Sequence, residues 1–205
     1  ALSDEAPFYD RPSRRPAYLD ELPRWQDLNF PEPSDYNTLL QEIVSSPHLC
    51  SRRWVFQQYD HMVQTNTAIL PGSDAAVLRL KGTSSGLAVS LDGNSRFTYL
   101  DPRMGAMLAV AESCRNVVCC GARPLGATNC LNFGSPENPE VMWQFIESVE
   151  GIGQACEVFA TPITGGNVSF YNETNGAAIL PTPILGIVGK LEALKQIRES
   201  SFQNA

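Results

Sequence analysis

The chain has 205 residues, 43% hydrophobic and 18% charged, a composition that supports a real core in one or two domains. Its net charge of −7 and its scattered lysines and arginines exclude a partner held through a broad basic surface, so no nucleic-acid partner is expected. The six cysteines fall at no zinc-like or C-x-x-C spacing, and neither a signal peptide nor a run of about 20 apolar residues is present; a soluble, cytoplasmic protein with reduced thiols and no membrane partner is expected.

Residues 1–33 carry Pro7, Pro12, Pro16, Pro23, Pro31 and Pro33 among interleaved charges, which reads as a Pro-rich linker. Phe8, Tyr9, Tyr18, Leu22, Trp25 and Phe30 are too apolar for a free tail, so the linker is expected to lie partly packed on the domain surface. A capping residue at Ser34 and the spacing of Tyr36, Leu39, Leu40 and Ile43 predict a helix over 34–44, ended by Pro47. Residues 63–70, 75–81 and 86–91 read as strands. A helix is expected over 101–120, with Asp101 as its cap, Pro102 in its first position and small residues that permit close packing. Then follow a strand over 126–131, a helix over 139–159 and strands over 162–165 and 179–188; Trp143 and Phe145 are expected in the core. The polar tail 191–205 reads as the start of something further. This order predicts an α+β class with α/β-like order, a mixed β-sheet packed by two long helices.

Four loops place glycine or asparagine beside polar side chains at strand ends, where a ligand can be met: residues 71–74, 92–96, 129–134 and 165–169. Each is equally an ordinary turn by composition. In the second, Gly93, Asn94, Ser95 and Arg96 offer backbone amides and a guanidinium, the donors a phosphate needs, although Asp-Gly is also a strong hairpin signal. In the fourth, Gly165 and Gly166 permit close approach to a nucleotide, Asn167 offers a hard amide oxygen to magnesium and Ser169 adds a hydroxyl. Walker-type and G-x-G-x-x-G motifs are absent, and His48 and His61 have no evident nucleophile partner in sequence. Cys130 reads as a buried strand residue.

Taken together in chain order, residues 58–67 (QYDHMVQTNT), 70–77 (LPGSDAAV), 92–96 (DGNSR), 99–102 (YLDP), 130–134 (CLNFG) and 166–173 (GNVSFYNE) resemble the second half of the small-type synthetase subunits of phosphoribosylformylglycinamidine synthase. The resemblance runs from the linker to about Leu194. It implies the N-domain of an aminoimidazole ribonucleotide synthetase-like fold, with residues 1–50 as linker and short helix, 51–190 as the N-domain and 191–205 as the start of a truncated following domain. It also implies a fragment of a ligase that converts formylglycinamide ribonucleotide to its amidine with ATP, magnesium and glutamine-derived ammonia. The partners it implies are the rest of the synthetase subunit, a glutaminase subunit, a small accessory subunit and the nucleotide substrate. By this resemblance Gly166 and Asn129 contact nucleotide, Asn167 binds magnesium, and Ser169 and the 92–96 loop contact substrate. Asn129 stands where many members have aspartate, which removes a negative charge. No catalytic residue is carried over, because the family's catalytic histidine belongs to the first half and does not correspond to His61. The alternative is a non-catalytic dimerisation or assembly module of the same complex, with the isolated chain forming a homodimer.

Overall fold

The computed structural model describes residues 6–24, 26 and 28–199. Along the chain come α1 (Tyr18–Glu21), α2 (Tyr36–Ser45), α3 (Arg53–Phe56), β1 (Thr67–Ile69), β2 (Ala76–Arg79), β3 (Gly86–Asp92), α4 (Ser95–Leu100), α5 (Pro102–Cys119), β4 (Arg123–Asn132), α6 (Pro139–Val158), β5 (Ile163–Ser169), β6 (Glu173–Thr174), β7 (Ala177–Ala178) and β8 (Thr182–Leu191). Six strands make one sheet in the order β1-β2-β3-β8-β4-β5, antiparallel throughout except for β4 and β5. That single parallel pair is joined through α6, the long crossover such a pair requires. The expected mixed sheet with two long helices is what the chain forms.

The helices lie on one face of the sheet. Asp101 accepts from the Met104 amide at 2.9 Å and starts α5; Asn138 does the same for Glu140 at 3.0 Å and starts α6, and each helix has proline in its first turn. Small residues then bring the layers together. A Cβ on Gly151 would sit 2.3 Å from the Arg103 carbonyl oxygen of α5, and one on Gly189 of β8 would sit 2.3 Å from the Val117 side chain. The core fills this contact with Val77, Val110, Val117, Ile152, Leu185, Ile187 and Leu191. Buried hydroxyls are satisfied locally: Ser90 of β3 donates to the Ser113 carbonyl of α5 at 2.9 Å, so Ser90 faces the helices. Leu91, one residue on, faces the other way and is 71% exposed.

Several expectations change. The helix over 34–44 is capped by Asp35, not Ser34: its carboxylate accepts from the Asn37 and Thr38 amides, and these bonds, led by the Thr38 hydroxyl, hold its pKa below the usual range. The strand expected over 63–70 shrinks to Thr67–Ile69, because Gln64 and Thr65 adopt φ of 58° and 57°, which no strand accommodates. The Arg79 side chain holds that bend, donating to the Thr65 carbonyl at 2.7 Å. Strands β4 and β5 run past the expected 126–131 and 162–165, and β8 begins and ends three residues later than the expected 179–188. The boundary expected after residue 190 falls inside β8, and the following residues stay with this domain: the Leu194 amide donates to the Ser84 carbonyl and that of Arg198 to the Cys120 carbonyl.

The Pro-rich linker packs in part. Pro16 is fully buried, the Tyr18 ring stacks on Tyr99 of α4 at 4.3 Å, and its hydroxyl donates to the Tyr99 carbonyl at 2.7 Å while accepting from Gln144 of α6. Burial pushes the Tyr18 pKa up, against the opposing Gln144 bond. Phe8 and Phe30 stay exposed, and Trp25 lies outside the described residues. Phe145 packs against the core as expected, whereas Trp143 is only half-buried.

Candidate functional site

The candidate residues gather at one end of the sheet, where β3, β4 and β5 finish and β8 begins. Register fixes who meets whom: Asp92 pairs with Leu185, Leu185 with Asn129, and Asn129 with Gly166, one row across four strands. The next residues pair Ile184 with Cys130 and Cys130 with Asn167, and the row beyond joins Thr182, Asn132 and Ser169. At about 4.8 Å between strands, Asn129 and Gly166 are immediate neighbours, while Asp92 lies roughly 10 Å from Asn129. Asn129 and Gly166 therefore meet in one row, with the 92–96 segment beside them across β8, while Asn167 and Ser169 follow on β5 with side chains on the sheet face opposite that of Asn129.

Gly166 is there because nothing larger fits. A Cβ at this position would lie 2.1 Å from Asn129 Oδ1 and 2.5 Å from the Asn129 carbonyl oxygen. The neighbouring Gly165 has open space where its Cβ would be. Strand β5 is exposed along nearly its whole length, so its residues 165–168 stand open at the sheet edge. Alternation along β4 and β5 puts Asn167 and Cys130 on the same face, and Asn132 and Ser169 likewise. Cys130 is half-buried rather than fully buried; Asn132 Nδ2 approaches its Sγ at 3.5 Å and donates to the Thr182 carbonyl at 3.2 Å.

The 92–96 segment is not a hairpin turn. Asp92 ends β3, and Asn94 caps α4 by accepting from the Arg96 and Phe97 amides at 3.1 and 3.2 Å. Those two amides, which a flexible loop would offer to a phosphate, are thus already used. Gly93 packs tightly: a Cβ there would sit 2.6 Å from the Pro183 carbonyl oxygen. The exposed side chain of the segment is that of Arg96. Asp92 turns back into the fold, where its Oδ1 accepts from Asn116 of α5 at 2.9 Å; its Oδ2 is buried with no hydrogen-bond partner among the described residues.

Two residues that sequence reasoning did not single out hold the ends of β4 and β5 together. The Asn172 amide reaches the carbonyls of Phe133 and Ser169, and the Glu173 carboxylate accepts from the Ser135 amide at 2.9 Å. Beneath them Phe145 of α6 stacks edge-on with Phe133 at 5.4 Å and with Phe170 at 5.0 Å. Each such pair adds about 0.5–1.5 kcal/mol beyond its area burial and ties the two strand ends to one helix. The available signal was the wording of residues 166–173, in which Asn172 and Glu173 close the motif.

Among the described residues no group of three or more His, Cys, Asp or Glu could hold a metal ion. Asn167 contributes one neutral oxygen. A magnesium ion here fits only as a shared ion whose remaining ligands are nucleotide phosphates, water or residues from elsewhere, a usual arrangement for this cation. His61, exposed at the entrance to β1, meets Phe56 edge-on at 6.2 Å, and its carbonyl accepts from the Thr67 hydroxyl. It belongs to a structural turn.

Residues 72–191 match the family described as AIR synthase related protein, N-terminal domain. The chain is 57% identical over 197 residues to phosphoribosylformylglycinamidine synthase subunit PurL of Moorella thermoacetica, an overlap that covers 96% of this chain and 27% of that protein. Its fold is similar to that in the structure of PurLQS from Thermotoga maritima, with a TM-score of 0.73 and 31% identity over 96% of this chain and 30% of that one. It is also similar to T. maritima PurL complexed with ATP, with a TM-score of 0.67 and 30% identity over 94% of this chain and 28% of that one. The chain therefore spans between a quarter and a third of the length of these relatives.

Proposed function

The chain belongs to the AIR synthase related protein family, matching its N-terminal domain over residues 72–191, and we propose from that premise that it forms part of the nucleotide and substrate site of an ATP-dependent ligase. The reaction is the conversion of formylglycinamide ribonucleotide to formylglycinamidine ribonucleotide in purine biosynthesis, with ammonia delivered from glutamine. ATP phosphorylates the amide oxygen, ammonia adds to the resulting iminophosphate carbon, and phosphate leaves; one ATP becomes ADP and phosphate, and an amide becomes an amidine. The observation that carries the reading is the cluster at the end of β4 and β5, where Asn129 touches Gly166 and Asn167 and Ser169 follow on the same strand.

In this reading Gly166 lets the nucleotide approach the β5 backbone, and the Asn129 amide hydrogen-bonds it without the negative charge an aspartate would bring near the phosphates. Asn167 gives its amide oxygen to magnesium, whose positive charge offsets charge on the phosphates. Ser169 contacts the ribonucleotide. Arg96, with Gly93, Asn94 and Ser95 setting its position at the start of α4, supplies a guanidinium toward substrate from across β8. The chain has no catalytic residue of its own and acts in the cytoplasm with the remaining synthetase domains, a glutaminase subunit and a small accessory subunit.

One observation favours a second reading, in which the isolated chain serves assembly alone. The sheet face opposite the helices carries Leu78, 38% exposed, and Leu91, 71% exposed, an apolar surface suited to a second sheet or a second copy of the chain. Calorimetric titration of ATP with magnesium into the purified chain and into Asn167→Ala separates the two. The first reading expects binding that weakens about tenfold or more in the variant, the worth of about 1.4 kcal/mol. Silence in both proteins leaves assembly as the activity of this chain, and amidine formation by the chain alone overturns its assignment as part of a larger site.

A further inference from the structure

We infer that Asn172 is a positioning residue that holds the Ser169 hydroxyl as a hydrogen-bond acceptor, so that Ser169 receives an N–H or O–H of the substrate and not an oxygen of its phosphate. This rests on the proposed contact of Ser169 with substrate and deepens it.

The geometry begins with the turn after β5. Tyr171 adopts φ of 59°, a left-handed conformation that costs a bulky residue about 1–2 kcal/mol. The turn it makes brings the Asn172 side chain back onto the strand it has just left. There Asn172 Nδ2 lies 3.0 Å from the Phe133 carbonyl oxygen, 2.9 Å from the Ser169 carbonyl oxygen and 3.1 Å from Ser169 Oγ, while Oδ1 lies 3.3 Å from the same Oγ. The orientation of the amide is set by chemistry. Two main-chain carbonyls can only accept, so nitrogen must face them; the flipped amide would press oxygen against both.

Those carbonyls take the two amide hydrogens at the shortest distances. The Ser169 hydroxyl proton is then directed to Oδ1, the one acceptor to which it donates among the described residues. What remains on Ser169 Oγ is lone-pair density. A phosphate oxygen, itself an acceptor, would have to pull the hydroxyl proton away from Asn172, whereas a carboxamide N–H or a ribose hydroxyl meets the oxygen as it stands. The same side chain joins Phe133 at the end of β4 to Ser169 at the end of β5, alongside the Phe133 amide, which donates to the Ser169 carbonyl at 3.0 Å. Asn172 thus fixes both where Ser169 is and which way its proton points.

Two measurements test this separately. In the chain itself, Asn172→Asp keeps the shape but turns a donor into an acceptor against two carbonyls, and amide hydrogen exchange at Phe133 should rise about tenfold or more. Unchanged exchange overturns the staple. In the assembled synthetase, Ser169→Ala should raise KM for formylglycinamide ribonucleotide about tenfold with kcat altered far less, and Asn172→Asp should add little in the Ser169→Ala background. Additive effects would mean that Asn172 does not act through Ser169 and would overturn its positioning role. The Ser169→Ala penalty should be the same when inhibition by the phosphate-free nucleoside is measured; a penalty that vanishes with the phosphate overturns the acceptor assignment. A Ser169→Ala enzyme with unchanged KM overturns the substrate contact itself, whatever the exchange rates show about the staple.

Discussion

Two adjacent glycines on β5 give a sharp test of why this strand end is built as it is. Replacing Gly166 with alanine would put a Cβ 2.5 Å from the Asn129 carbonyl oxygen and 2.1 Å from its Oδ1, whereas real Cβ atoms essentially never come under 3.0 Å. A new rotamer of Asn129 relieves the second contact but not the first, because the carbonyl belongs to the β4 backbone. The two strands must then part by at least about half an ångström at the row that holds both candidate nucleotide contacts, an overpacking that costs about 1–3 kcal/mol. Gly165→Ala is the control: its Cβ meets open space and its φ is not among the positive ones, so the substitution is expected to be neutral or to stabilise by about 0.4–1 kcal/mol through the unfolded chain. Urea unfolding of both variants gives the stabilities, and calorimetry with ATP and magnesium gives the consequence for the site. Equal stabilities for the two, or an unaltered unfolding midpoint for Gly166→Ala, would refute the claim that close approach of Asn129 dictates the glycine.

Asn94→Ala removes the acceptor for the Arg96 and Phe97 amides and should cost about 0.5–2 kcal/mol in thermal or urea unfolding, while Asn94→Asp, which can still cap, should cost less. The thiols divide by burial. Exposed Cys50 and Cys119 should react with a thiol reagent in the native protein, and Cys114 and Cys156 only on unfolding, since burial pushes the pKa of both upward. Because their folded pKa lies above the unfolded one, their contribution to stability is intact below the ordinary thiol range and is lost as pH rises through it, when only the unfolded chain ionises. A difference in urea midpoint between the wild type and Cys114→Ala that stays level across that range would contradict this.

The helices were legible because each carries redundant local signals. Asp101 with Pro102 announces α5 by cap and first-turn proline before any packing is considered, and the structure gives α6 a cap of the same kind in Asn138. The strands β4, β5 and β8 were legible as existing and not as ended, since a ladder stops where its partner stops, and the partner lies 30 or more residues away in sequence. The bend at Gln64 and Thr65 left no trace of its kind in composition. Threonine between apolar residues reads as strand, and part of what holds the left-handed turn, the Arg79 guanidinium, lies 14 residues on.

The site followed the same division. Glycine and asparagine at strand ends marked segments that the fold brings to one end of the sheet, but could not distinguish a loop with open amides from a capped helix. At residues 92–96 the difference is one side chain: Asn94 takes for itself the donors that its neighbours would otherwise offer. At residues 165–169 the opposite holds, because the parallel register of β4 and β5 aligns Asn129 with Gly166 and Asn132 with Ser169 and leaves the strand edge uncovered. A stretch of sequence therefore becomes a binding surface through what its partners leave unsatisfied. On that criterion the edge of β5, laced at its end by Asn172 and Glu173, is the stronger candidate surface of the two, and what the 92–96 segment has to offer is the exposed charge of Arg96 rather than its backbone.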